Sequence, residues 1–248
     1  MPKNQKLRMF AGPNGGGKTT LAETIHKKYA DIGYFINADK VAQLFSKWTF
    51  LDLNQFSPVI ITQEELEDFA RNFPEIEKRL NKPFASFSVF IKDGFAIKKD
   101  KKLGITDYEA VFLTDFLRNR LLKAKCNFSF ETVMSHPSKI DFLQEANEYG
   151  FKTYLYFLAT VAPEIHIERV HERMKKGGHG VPDNKIKERY FRSLNNLIKA
   201  IKTVDRAFII DNSNQSDNLI AEKTGDNKLR FHVTSVPSWV YKYVIEKI

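Results

Sequence analysis

Residues 9–21 read MFAGPNGGGKTTL, and within them Gly12, Gly17, Lys18 and Thr19 satisfy the spacing G-x-x-x-x-G-K-[ST]. That pattern is a phosphate-binding loop only when a strand leads into it and a helix leads out. Both flanks fit. Leu7 to Ala11 is an apolar run broken by Arg8 alone, which predicts a buried strand. Residues 18–29 place Leu21, Ile25 and Tyr29 at a spacing of four, which predicts a helix.

The residue types follow from what a phosphate demands. Glycines at 12, 15, 16 and 17 let the backbone turn sharply and press its N–H groups against phosphate oxygens with no Cβ in the way. Gly12, Pro13, Asn14, Gly15, Gly16 and Gly17 form the expected cradle, with Lys18, Thr19 and Thr20 at its helical rim. The helix opening near Lys18 adds the positive end of its dipole. Lys18 is expected to reach the β- and γ-phosphates, and the Thr19 hydroxyl to ligate Mg²⁺. The chain is therefore expected to bind a nucleoside triphosphate.

Composition bounds the rest. At 248 residues the chain has room for one large α/β domain or two small ones. We expect one P-loop domain over residues 1–248, with residues 48–105 inserted in it. The apolar fraction of 42% is ordinary for a globular protein, and no stretch approaches the roughly 18 apolar residues of a membrane span. Cys126 stands alone, so no internal disulfide forms, and the sequence opens on charge without an apolar signal core. A cytoplasmic protein without membrane attachment is the expectation. The net charge of +9 suits nucleic acid, a membrane surface or a polyanionic small molecule. Its only dense run, residues 98–102, is short enough to be a solvated loop, and a kinase handling two phosphorylated molecules would also carry surplus cations.

Taken in order, residues 34–37 predict a second short strand, and residues 40–47 a helix with Val41, Leu44 and Phe45 on one face. From about residue 48 to 105 the periodicity loosens, yet phenylalanines are frequent, so an ordered insertion is expected. Whether it caps an acceptor site or extends the core is open. Within it Thr62-Gln-Glu-Glu65 is a capping box opening a helix that ends before Pro74. Further helices are expected at 106–125, with Val111, Phe112, Phe116 and Leu121 buried, at 138–149, at 163–175 behind Pro163, and at 184–203. Strands are expected at 127–131, 153–159 and 206–211, a strand-like stretch at 228–233, and a closing helix at 239–248. Alternation of this kind gives an α/β fold, a P-loop NTPase three-layer arrangement with a mostly parallel sheet covered by helices on both faces.

In such sheets the site lies beyond the carboxyl ends of the strands. That singles out the P-loop, Asp39 and Glu131. One carboxylate of a phosphotransferase must orient the acceptor hydroxyl and take its proton. Asp39 is the first choice, against the alternative that it merely caps the next helix. Glu131 is suited to hydrogen-bond the acceptor or a Mg²⁺-bound water, or else to a structural hydrogen bond. Arg173 and Arg189 have no acid three or four residues away, and Arg169 lies one turn from Arg173. Flanking the Gly177-Gly-His-Gly-Val-Pro182 break, they fit a lid whose cations stabilise a transferring phosphate, the alternative being solvated helix arginines. Arg192 has Glu188 four residues before it and reads as a surface ion pair. His166 and His171 are five apart, wrong for one helical face, so no zinc centre is expected.

Several motifs resemble the zeta-toxin family of P-loop kinases, in its uncharacterised bacterial branch. They are GPNGGGKTTLA (residues 12–22), FINAD (35–39), FSFETVMS (128–135), RVHERMKKGGHGVP (169–182), KIKERYFRSLNNL (185–197) and IIDNS (209–213). The resemblance implies ATP- and Mg²⁺-dependent phosphorylation of a small molecule, in the best-known case UDP-N-acetylglucosamine. By position it implies Asp39 as the catalytic base, Lys18 as the P-loop lysine, and Glu131 with Thr132 as acceptor contacts. It further implies Arg173 and Arg189 as phosphate-binding arginines, with Arg169 as a third, and an antitoxin protein as a candidate partner. Two other classes compete with a small-molecule kinase. A nucleic-acid-directed kinase or ATPase would need a long basic, aromatic-interleaved groove, for which only residues 48–105 qualify. A nucleotide switch or ABC-type ATPase would need an LSGGQ-like or N-K-x-D motif, and the chain has neither.

Overall fold

The strand, loop and helix around residues 9–21 are present: β1 (Lys6–Ala11) enters the loop and α1 (Lys18–Lys28) leaves it. The computed structural model describes residues 5–73, 77, 80–178, 180–214, 217–224 and 228–248. Pro74 and His179, on which the sequence reading touched, lie outside the described residues. After α1 the chain enters a compact unit spanning Tyr34–Phe128, and the chain on either side of it packs as a second unit. Residues 48–105 fall within the first of these.

The Tyr34–Phe128 unit opens with β2 (Tyr34–Ile36) and α2 (Ala38–Lys47). Asn37 caps α2: its side chain accepts from the Lys40 N–H at 3.1 Å. Asp39 is thus the second residue of the helix and not its cap, which removes the alternative reading of that residue. The described residues of the loosely patterned segment form regular structure. They form β3 (Phe50–Asp52), α3 (Gln63–Arg71), β4 (Val89–Lys92) and β5 (Phe95–Lys98), and the three strands make an antiparallel sheet in the order β3-β5-β4. Asp93 and Gly94, with φ of 52° and 78°, make the tight turn between β4 and β5. Both reciprocal bonds of the Thr62–Glu65 capping box are made, and a second box, Thr106 with Glu109, opens α4 (Asp107–Lys123).

The phenylalanines explain why this stretch holds its shape. The Phe112 ring lies 5.3 Å from Phe87, 5.5 Å from Phe69, 5.8 Å from Phe84 and 6.3 Å from Phe73. Edge-on and tilted pairs of this kind add to plain apolar burial. Val111, expected in the buried face of α4, is instead 38% exposed, one position off the stripe that Phe112 and Phe116 define. Glu109 is fully buried, and its carboxylate accepts from the Ser88 N–H and pairs with the Lys82 ammonium, both at 2.7 Å. Burial alone would raise its pKa; Lys82, Thr106 and Ser88 together outweigh that and hold it below the ordinary value.

The second unit resumes with β6 (Phe128–Thr132) and continues through α5 (Ser138–Glu148), β7 (Lys152–Ala159), α6 (Pro163–Lys175), α7 (Asp183–Thr203), β8 (Arg206–Asp211), β9 (Asn218–Lys223), β10 (Leu229–Phe231) and α8 (Ser238–Tyr243). Its sheet runs β10-β9-β8-β7-β1-β6. β7 lies between β1 and β8 and is parallel to both, so its two sides are closed by partners and its sequence is a continuous apolar run. Phe10, Tyr156 and Phe208 stand in register across these strands and stack at 5.0 and 4.8 Å. Arg8, the charged residue inside the apolar run of β1, lies 5.2 Å over the Tyr154 ring, which accounts for a strand arginine only 4% exposed.

The tail departs from expectation. β9 was not foreseen, the expected 228–233 strand shortens to β10, and both pair antiparallel at the sheet edge. The closing helix ends at Tyr243, followed by a short 3₁₀ turn at Ile245–Lys247. β9 also delivers Lys223 into the interior, where its ammonium donates to the Ile201, Lys202 and Val204 carbonyls at 2.6–3.3 Å. A cation at the C-terminal end of α7 matches the negative end of that helix.

Candidate nucleotide site

The loop begins where β1 ends at Ala11. The Gly12 N–H donates to the Thr132 carbonyl at the end of β6 (3.3 Å), which ties the loop to the neighbouring strand. On its other side Gly12 lies so close to β7 that a Cβ there would stand 2.0 Å from the Leu158 carbonyl oxygen. With φ at +138° no side chain is accommodated. Gly17 has φ of 88° and caps α1 without any side-chain hydrogen bond, and the first turn of α1 holds no acidic residue. The N–H groups at such a helix start, with no acid beside them, suit an anion. The Lys18 ammonium folds back onto the carbonyls of Gly12 (3.0 Å) and Pro13 (2.9 Å), while Thr19 and Thr20 are exposed at the rim. A side chain that can exchange carbonyl oxygens for phosphate oxygens is what the P-loop lysine requires.

The loop after β6 is tied to α7, and the loops after β7 and β8 are tied to one another. Thr132 Oγ1 accepts from the Met134 N–H at 3.0 Å, and the Met134 carbonyl accepts from Asn196 of α7 at 2.9 Å. After β8, the Asn212 N–H donates to the Ala159 carbonyl at 2.9 Å, and Ser213 Oγ accepts from the Val161 N–H at 3.0 Å. Tyr190 of α7 donates its hydroxyl to the Thr160 carbonyl at 2.8 Å. Asp211, at the end of β8, is 8% exposed and accepts from the Trp239 indole N–H at 2.7 Å and the Ser213 N–H at 3.0 Å.

The expected site residues fall into two groups. Gly12 to Thr20, Glu131, Thr132, Arg169, Arg173 and Arg189 all belong to the unit built on β1; Asp39 belongs to the Tyr34–Phe128 unit, exposed in the first turn of α2. Glu131 and Thr132 are the last two residues of β6 and are half-buried. Arg169 donates to the carbonyls of Asn212 (2.7 Å) and Ser213 (3.4 Å), so its charge braces the loop after β8. Arg173 stands one turn further along α6, where the Gly178 N–H closes on its carbonyl at 2.9 Å. A Cβ on Gly178 would meet the Arg173 side chain at 2.6 Å, which explains a glycine at that point of the break. Arg189 is half-buried on α7, beside Tyr190, and Arg192 makes the expected exposed pair with Glu188 at 2.9 Å.

Sequence spacing missed His166. It is fully buried on α6, its Nδ1 is 2.8 Å from the Asn14 carbonyl of the loop, and its ring packs 5.4 Å from that of Tyr190. Burial pushes its pKa down to about 4, helped by the Lys18 and Arg169 charges and opposed by the Asn14 hydrogen bond and Asp211. The imidazole is therefore neutral at pH 7, with its single proton on Nδ1 facing the carbonyl.

The Zeta toxin family model matches residues 92–224, more than half of the sequence. The chain belongs to the Zeta toxin family. The match begins downstream of the P-loop and covers β6, α6 and α7, the elements that bear Glu131 and the three arginines. Among solved structures the chain is similar to a chain of the AvrRxo1-ORF1:AvrRxo1-ORF2 complex with sulphate ions, at TM-score 0.55 and 14% identity over 96% of this chain and 62% of that one. It is likewise similar to a chain of the AvrRxo1-ORF1:-ORF2 complex with ATP, at TM-score 0.52 and 13% identity over 92% and 60%. At such identities the likeness is one of fold. An uncharacterized protein of Haemophilus influenzae is 32% identical over 69 residues, 28% of this chain and 49% of that protein. The chain thus spans about half the length of that relative and less than two thirds of the two structural ones. Among the described residues no helix is long and apolar enough to cross a membrane.

Proposed function

We propose that this member of the Zeta toxin family is an ATP- and Mg²⁺-dependent kinase that transfers the γ-phosphoryl group to a hydroxyl of a small molecule, a nucleotide sugar such as UDP-N-acetylglucosamine. The observation that carries the reading is the loop itself, a cradle of glycines at positions where a Cβ would collide, closed by a lysine and opening on an uncapped helix. That the fold is shared with a complex solved with ATP supports the choice of nucleotide.

In this reading N–H groups of the glycine loop and of the first turn of α1 bind the nucleotide phosphates and fix the γ-phosphorus for in-line attack. Lys18 leaves the Gly12 and Pro13 carbonyls for the β- and γ-phosphate oxygens. Asp39 accepts the proton of the acceptor hydroxyl as its oxygen bonds to phosphorus and the bond to the ADP oxygen breaks. Glu131 and Thr132 orient the acceptor. Arg173 and Arg189 meet the charge on the transferring group, with Arg169 as a third cation already braced in place. The Thr19 hydroxyl, exposed at the rim of the loop, would hold Mg²⁺, and the ion bound there would neutralise phosphate charge. A protein antitoxin is the partner this reading implies.

The test is mass spectrometry of a panel of acceptors incubated with enzyme, ATP and Mg²⁺: UDP-N-acetylglucosamine, other nucleotide sugars, nucleosides and 5′-hydroxyl RNA. Gain of one phosphate on a nucleotide sugar, absent with Asp39→Asn, is the expected result. Phosphate on RNA alone would replace the nucleotide sugar with a nucleic-acid end.

A further inference from the structure

We infer that His166 is a positioning residue for nucleotide binding, holding the Asn14 carbonyl of the P-loop turned into the protein so that the loop offers phosphate only N–H groups. The inference rests on reading residues 12–20 as a nucleotide cradle. A loop of this kind binds anions only if its carbonyl oxygens are directed elsewhere, because each carbonyl aimed at a phosphate repels it.

The first three carbonyls of the loop each have an assigned donor. Those of Gly12 and Pro13 receive the Lys18 ammonium at 3.0 and 2.9 Å, and that of Pro13 also receives the Gly16 N–H at 3.2 Å. The third, Asn14, receives His166 Nδ1 at 2.8 Å. These holds differ in permanence. Lys18 must release its carbonyls to reach the nucleotide, whereas His166 sits on a different helix, is fully buried, and has no reason to move.

His166 is also in contact with the turn it holds. A Cβ on Gly15 would lie 2.8 Å from the His166 carbonyl oxygen, and one on Gly16 3.4 Å from its Cε1. Its other ring nitrogen, Nε2, is buried and has no hydrogen-bond partner among the described residues. The side chain therefore makes one directed bond, to the loop. A histidine kept neutral there carries a proton on one nitrogen only, and the carbonyl selects which.

Replacement by isosteres tests this. Asparagine places its amide donor where Nδ1 stands, glutamine places it near Nε2, and leucine has none. ATP dissociation constants for wild type, His166→Asn, His166→Gln and His166→Leu, by calorimetry with Mg²⁺ on full-length protein, are read beside melting temperatures without nucleotide. We expect His166→Asn to stay within about threefold of wild type and His166→Gln and His166→Leu to bind about tenfold more weakly, the loss of one hydrogen bond to a buried carbonyl. Should the leucine variant not fold, the asparagine–glutamine pair decides. Equal affinity in all folded variants, with only melting temperature changed, would reduce His166 to packing and overturn the inference, as would equal weakening in all. A wild type that binds no ATP would instead sink the nucleotide reading itself, and the inference with it.

Discussion

His166 shows how a single residue escapes a reading of spacing. In the sequence it is one of six histidines, five residues from its neighbour His171, and nothing in that spacing connects it to Asn14. The connection is made across 152 positions by the packing of α6 against the loop. Its environment has a consequence for stability. The native pKa of about 4 lies below the ordinary 6.5, so between those values the unfolded chain binds a proton that the native state excludes. Stability therefore rises with pH through that window and falls on acidification from about pH 6.5 towards 4. Between pH 7 and pH 5 the wild type is expected to lose on the order of 1–2 kcal/mol more than His166→Asn, measured as urea midpoints and slopes. Parallel losses would show that the imidazole is not held neutral.

Secondary-structure elements were legible where local chemistry sets them. The P-loop helix, both flanking strands and the Thr62–Glu65 capping box all lie where composition and spacing put them, since each depends on residues within a few positions. The short strands of the Tyr34–Phe128 unit were not legible: β3 has three residues, and β4 and β5 four each, too few for a period to emerge. The turn chemistry of Asp93-Gly94 was the available signal for the β4–β5 hairpin. β9 was hidden because its inward residues include Lys223, which reads as surface until the α7 carbonyls it serves are seen. At the junction of β1 with the loop, Gly12 fits because β7 passes within a Cβ's reach. Gly12→Ala is expected to cost at least about 2 kcal/mol, lowering the melting temperature by about 4–8 °C. An unchanged melting temperature would mean that the loop and β7 separate more readily than their contact implies.

At the scale of the whole molecule, the sequence conveyed the α/β class and the mostly parallel sheet, because buried parallel strands and intervening helices leave a pattern over many residues. Where compact units divide is set by long-range contacts: the phenylalanine-rich stretch signals an ordered segment from about residue 48 to 105, but not the boundaries at Tyr34 and Phe128. The net charge of +9 is distributed over both units, as suits a protein whose proposed substrates both carry phosphate.

Movement of phosphate from ATP to an acceptor is the activity proposed for this chain. The most direct measurement is ADP formation from ATP and Mg²⁺, with and without a pool of nucleotide sugars, by wild type and Lys18→Ala. ADP formation is expected to rise at least about tenfold with the pool and to drop to background in Lys18→Ala. ADP formation indifferent to the pool, or untouched by loss of Lys18, would contradict the proposed activity.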